Sequence, residues 1–133
     1  MKVLVLFAAL SALGLSAFAQ DDAAFVGWMK TVGGTGGSLR KNIAAKNGDG
    51  AAADAKKLQE TMTQVSAFFK AKSADDAVTG ATAAAAAYGE VATAAAAGKF
   101  EDADASLKKA GATCGPCHMA HREKNADGSY KIK

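Results

Sequence analysis

Proline occurs once in 133 residues, cysteine twice and arginine twice. Each scarcity excludes something. A single proline leaves long helices uninterrupted. Aromatic residues make up 7% of the chain, and β-branched residues are thinly spread, which argues against an all-β sandwich or barrel. Two arginines and a formal net charge of +3 give no nucleic-acid-binding signature. The apolar fraction of 50% is too high, and the charge too low, for a disordered chain. What is abundant is alanine, with 34 residues. Alanine loses no side-chain entropy in a helix and buries little area, so this composition promises helices around a thin core. The length suits one domain.

The N-terminus carries its own signal. Lys2 precedes an apolar run from Val3 to Leu15, and Ala17-Phe18-Ala19 forms a small-x-small cleavage signal before Gln20. That is the anatomy of a secretory signal peptide. The run of 13 residues is shorter than the roughly 18 of a membrane span. The expectation is removal of residues 1–19, export to a bacterial periplasm, and a single mature domain over 20–133 with no membrane insertion. Loss of Lys2 lowers the formal charge from +3 to +2.

Four segments of the mature chain show helical patterning. The first follows Asp21 and Asp22, carboxylates suited to a helix N-terminus. It spaces Phe25, Trp28, Met29, Val32, Leu39 and Ile43 near the 3.6-residue period and stops at Asn47-Gly48-Asp49-Gly50. The second, about Ala51 to Ala71, aligns Leu58, Met62, Val65 and Phe69 on one face. Ser73 is placed to cap the third, with Asp76 in the capping region. That third segment carries Val78, Ala81, Ala85, Tyr88 and Val91 inward as far as Ala97, and Gly98 stops it. The fourth starts near Phe100 and turns Ala103, Leu107 and Ala110 inward before running through the cysteines to about Lys124. The predicted fold class is all-α, an antiparallel up-down-up-down four-helix bundle. Alanine faces would fill such a bundle weakly, so something else is expected to occupy part of its interior.

Gly33-Gly34-Thr35-Gly36-Gly37 interrupts the first pattern, where each glycine costs on the order of 1 kcal/mol relative to alanine. A phosphate-binding loop would need a preceding strand and a following Lys-Ser/Thr, and has neither. A break, a kink or close approach to a bulky neighbour is the better expectation.

The most specific motif is Cys114-Gly115-Pro116-Cys117-His118. Two thiols at this spacing followed by an imidazole form the attachment signature of c-type haem. Each thiol adds to one of two porphyrin vinyl groups a fixed distance apart, and the histidine meets the iron beside that edge. Cys-Gly-Pro-Cys is also a thioredoxin-type active-site sequence, but that motif follows a strand and needs an α/β fold around it. Here the preceding residues are helical and little chain remains. A structural disulfide would close too short a loop to stabilise much, and two cysteines with two histidines make a poor zinc set.

Export signal, four alanine-rich helices and a Cys-x-x-Cys-His motif close to the C-terminus together resemble the class II c-type cytochromes, the cytochrome c′ group. The resemblance spans the mature chain and includes Arg122, four residues past the histidine. It departs at His121, where the family commonly has an aromatic residue, and at Pro116, which removes the helical bond to Ala112 and should bend the fourth helix. The resemblance implies one haem c inside the bundle, held by Cys114 and Cys117, with His118 as proximal iron ligand and Arg122 in the haem environment, where Phe25 is also expected from its place on the first helix. It also implies that the opposite iron position lies on the first helix. There a methionine would make a six-coordinate electron carrier, and a non-ligating residue would make a five-coordinate site for nitric oxide or carbon monoxide.

Bundle topology selects among the methionines. At a 1.5 Å rise, Met29 and His118 both lie roughly 10 Å from the same end, and Met62 roughly 14 Å. Met29 is the expected distal ligand. Trp28, Phe25, Phe68, Phe69 and Val78 are expected to pack near the haem end, with His121 at the surface or haem edge. The expected activity is electron transfer with protein redox partners, not catalysis, and surface lysines suit an acidic partner. The family resemblance also admits a homodimer.

Overall fold

The computed structural model describes residues 15–133, with side chains from Asp22 onward. Its elements run α1 (Leu15–Ala44), α2 (Gly48–Ala71), α3 (Asp75–Ala96), α4 (Phe100–Ala112), α5 (Cys114–His121), β1 (Arg122–Lys124) and β2 (Tyr130–Ile132). Short connections force consecutive helices to run antiparallel. Helices α1 to α4 pack in series, and α1 meets α4 to close a helical bundle. Among the described residues, no helix is long and apolar enough to cross a membrane. Residues 1–14 of the expected signal peptide lie outside the described residues, and α1 runs across the expected cleavage point after Ala19.

Turn chemistry sets the helix ends. Lys46 turns the chain at φ 55°, and the Asn47 side chain caps α2 by accepting from the Gly50 amide at 3.1 Å. Gly48 then starts α2 so close to the end of α3 that a Cβ there would lie 2.8 Å from the Ala95 carbonyl oxygen. Gly98, at φ 71°, ends α3 with a left-handed cap, in which the Lys99 amide donates to the Ala94 carbonyl at 2.9 Å.

The densest packing lies between α2 and α3. Leu58, Val65 and Phe69 of α2 meet Ala77, Ala81, Ala84 and Val91 of α3, all essentially buried. Small side chains on α3 let these two helices approach closely. Leu39 and Ile43 bring the last turns of α1 into the same core.

Several sequence expectations need correction. Helix α1 begins before Asp21 and continues through Gly33–Gly37 without interruption. Helix α2 begins at Gly48, so the glycines ascribed to the turn form its first turn. Ser73 does not cap α3. It sits at φ 56°, terminating α2, and Ala74 takes the N-cap position without a side-chain bond. The fourth helix does not run to Lys124. It stops at Ala112, resumes as α5, and gives way to an antiparallel hairpin pairing Arg122 with Ile132 and Lys124 with Tyr130.

Candidate functional site

The break between α4 and α5 follows from Pro116. Proline has no amide hydrogen for the Ala112 carbonyl, and its ring crowds that carbonyl, so the α4 ladder ends there. Thr113 takes up the loose end, its hydroxyl donating to the Ala110 carbonyl at 2.8 Å. Pro116 falls in the first turn of α5, where a missing amide costs nothing. The resulting eight-residue helix buries none of its residues fully. It presents Cys114 and Cys117, three positions apart, on one face, with His118 next to them. Both cysteines are free thiols and half-buried.

These side chains line a cavity of about 590 Å³, within the roughly 300–1,000 Å³ range of cofactor sites. Its wall on α1 is Phe25, Met29 and Gly33, and on α2 Met62, Val65 and Phe69. Helix α5 contributes Cys114, Cys117, His118 and His121, and the hairpin contributes Arg122, Tyr130 and Ile132. All six residues singled out by sequence as site residues, Phe25, Met29, Cys114, Cys117, His118 and Arg122, therefore face one space. Met62 faces it as well. The helical-rise argument separates Met62 from Met29, but antiparallel α1 and α2 bring both to the wall of the same cavity.

Burial sets the ionisation of the donors. It lowers the pKa of His118, and the positive Arg122 guanidinium lowers it further, so the imidazole favours its neutral, lone-pair-bearing form. Burial likewise raises the Cys117 thiol, with Asp76 and Cys114 adding to the effect. A raised thiol is the opposite of the activated thiolate that disulfide exchange requires. Among the described residues, no group of three or more His, Cys, Asp and Glu is arranged to hold a bare metal ion.

Aromatic packing fixes the end of the cavity. The Phe25 ring stacks on Phe68 at 4.9 Å between centroids and meets Phe69 edge-on at 5.4 Å. Trp28 closes on Phe68 at 6.2 Å, and Val78 packs against the core from α3. His121 is not a free surface group. Its Nε2 lies 2.8 Å from the Asp76 carboxylate, and its ring lies 5.2 Å from Phe69, so it ties α5 to the start of α3. That bond holds the Asp76 carboxyl below its usual range.

Sequence reasoning missed the hairpin. Its turn, Asn125 to Ser129, closes with the Gly128 amide donating to the Asn125 carbonyl at 3.0 Å, and Gly128 sits at φ 85°. Asp127-Gly128 between two short segments was the available signal, obscured by strands of charged residues. Compared with known protein families, curated proteins and solved structures, the chain matches none.

Proposed function

We propose that this chain is an exported, periplasmic c-type cytochrome that carries single electrons through one covalently attached haem c, in exchange with protein redox partners. The observation that carries the reading is the convergence of two free thiols, an imidazole and a thioether on one largely apolar cavity. The residues fit the group in kind. Cys114 and Cys117 would supply the thioether links and His118 the proximal nitrogen. Met29 would supply the distal sulfur, and a thioether donor favours the reduced iron. When bound, the haem supplies one-electron cycling between ferric and ferrous iron. Phe25, Val65 and Phe69 give the space apolar walls, and Arg122 lines it from the hairpin.

The test is maturation in a host with a working cytochrome assembly apparatus. The purified protein is expected to be red, heavier than the polypeptide by one haem, and low-spin. Met29→Ala is expected to abolish the low-spin spectrum, while Met62→Ala leaves it intact. Colourless protein of bare polypeptide mass overturns the reading. A high-spin spectrum unchanged by Met29→Ala replaces electron transfer with the five-coordinate, gas-binding alternative.

A further inference from the structure

The C-terminal hairpin covers the cavity while making almost no bonds to the bundle it covers. Arg122, Ser129, Tyr130, Lys131 and Ile132 all line the space. Among the described residues, the hydrogen bonds and ion pairs of this segment are internal or made to the end of α5, where the Arg122 amide donates to the His118 carbonyl. Lys131 pairs with Glu123 at 3.4 Å, the Arg122 guanidinium lies 4.1 Å over the Tyr130 ring, and the Asn125 side chain donates to the Ser129 hydroxyl at 2.8 Å. The Lys133 amide donates to the His121 carbonyl at 3.1 Å. Only Ile132 reaches the edge of the hydrophobic core.

We infer that the hairpin is a hinged lid, pivoting where α5 ends at His121 and Arg122, which controls access to the cavity and to the two thiols inside it. Two observations combine in this assignment. The hinge is a single change of backbone, from helix at His121 to extended at Arg122 (φ −121°, ψ 133°). The lid carries its internal bonds with it, so opening breaks the Ile132 contact, the cavity-facing cover of Tyr130 and the Lys133–His121 bond across the hinge. Two isolated strands are marginally stable in water, so the closed position also supports the hairpin's own pairing. Elements with few buried contacts open locally at low free-energy cost. The inference concerns entry to the cavity and stands apart from what fills it. On the haem reading, the same opening is the route by which Cys114 and Cys117 become reachable during attachment.

The test uses the unloaded full-length chain and the rate at which a neutral alkylating reagent modifies its thiols. Ending the chain after Lys124 is expected to accelerate modification by about tenfold or more, with helical circular dichroism retained. Tyr130→Ala, which removes the ring under Arg122, is expected to accelerate it about two- to fivefold, as loss of an exposed cation–π contact implies. Lys124→Ala, on the same hairpin but off the cavity, leaves the rate unchanged. Should the shortened chain unfold, Tyr130→Ala alone decides the matter. Equal rates in the wild type and Tyr130→Ala overturn the lid, whatever colour the matured protein has.

Discussion

The two halves of the bundle are built on different principles. Helices α2 and α3 bury nine residues each, and most of those are alanine or aliphatic, meeting partners at close range. Helix α5 buries none, and between Asp22 and Ser38 no large side chain of α1 is fully covered. Phe25, Met29 and Val32 instead face the cavity. The first half holds itself together by contact. The second is a frame of donors and apolar walls around a space, positioned by the first.

The comparison is broken most directly by truncating a side chain in each half. Leu58 is 0% exposed between α2 and α3, and Leu58→Ala creates a cavity where none existed. A loss of about 2.5–5 kcal/mol is expected. Met29→Ala in the unloaded chain only enlarges a space already present, and the expected loss is about 1 kcal/mol or less. Urea denaturation of both variants measures the difference, and equal losses would show that the halves do not differ in packing.

Glycines sharpen the same contrast at smaller magnitude. Gly34 has nothing within 4 Å of where a Cβ would stand, so Gly34→Ala should stabilise α1 by about 1 kcal/mol through helix propensity. Gly48 stands against the Ala95 backbone, and Gly48→Ala should cost about 1–3 kcal/mol through overpacking. Gly33 also has open space around it, but that space is the cavity. Gly33→Leu should therefore leave the unloaded chain at least as stable while, on the proposed haem reading, lowering the yield of covalently attached haem. Unchanged yield would mean that the glycine is not there to keep the space open.

How much of this was legible in the residues themselves follows from which forces decide each feature. Helix stripes such as Leu58, Met62, Val65 and Phe69 were readable because 3.6-residue periodicity is written locally. The position of Cys114, Cys117 and His118 on one face was readable for the same reason. The continuity of α1 through Gly33–Gly37 was not, because a local propensity penalty argues for a break that the 30-residue helix does not show. Ser73 misled because its hydroxyl suits a cap, yet the left-handed turn that ends α2 claims that position. The end of the fourth helix was half-readable. Pro116 announced the lost bond at Ala112, but the hairpin beyond His121 depends on long-range cover of the cavity by Tyr130 and Ile132, for which charged strand residues give no alternating pattern.

Acid should probe the cavity half, while base reaches both halves, because burial also raises the Cys117 thiol above its ordinary 9.0. In the cavity half, burial lowers the folded pKa of His118 below its ordinary 6.5. The unfolded chain then binds a proton before the folded one does, so stability is complete above about 6.5 and declines as pH falls from there toward the lowered folded value. In the packed half, burial raises the Tyr88 hydroxyl above its ordinary 10.0. The folded chain keeps a proton that the unfolded chain releases, so this contribution is complete below about 10 and declines as pH rises beyond it. Urea midpoints of the unloaded chain across pH measure both limbs. His118→Gln should flatten the decline between about 6.5 and 5, above the ordinary carboxylate range, and leave the alkaline limb in place. Tyr88→Phe should leave the acid limb in place and flatten the alkaline decline only in the part beyond about 10, the raised Cys117 thiol keeping its own share. If either substitution moved both limbs together, the two halves would be titrating as one unit, and the division between a self-supporting pair of helices and a frame around a cavity would have to be given up.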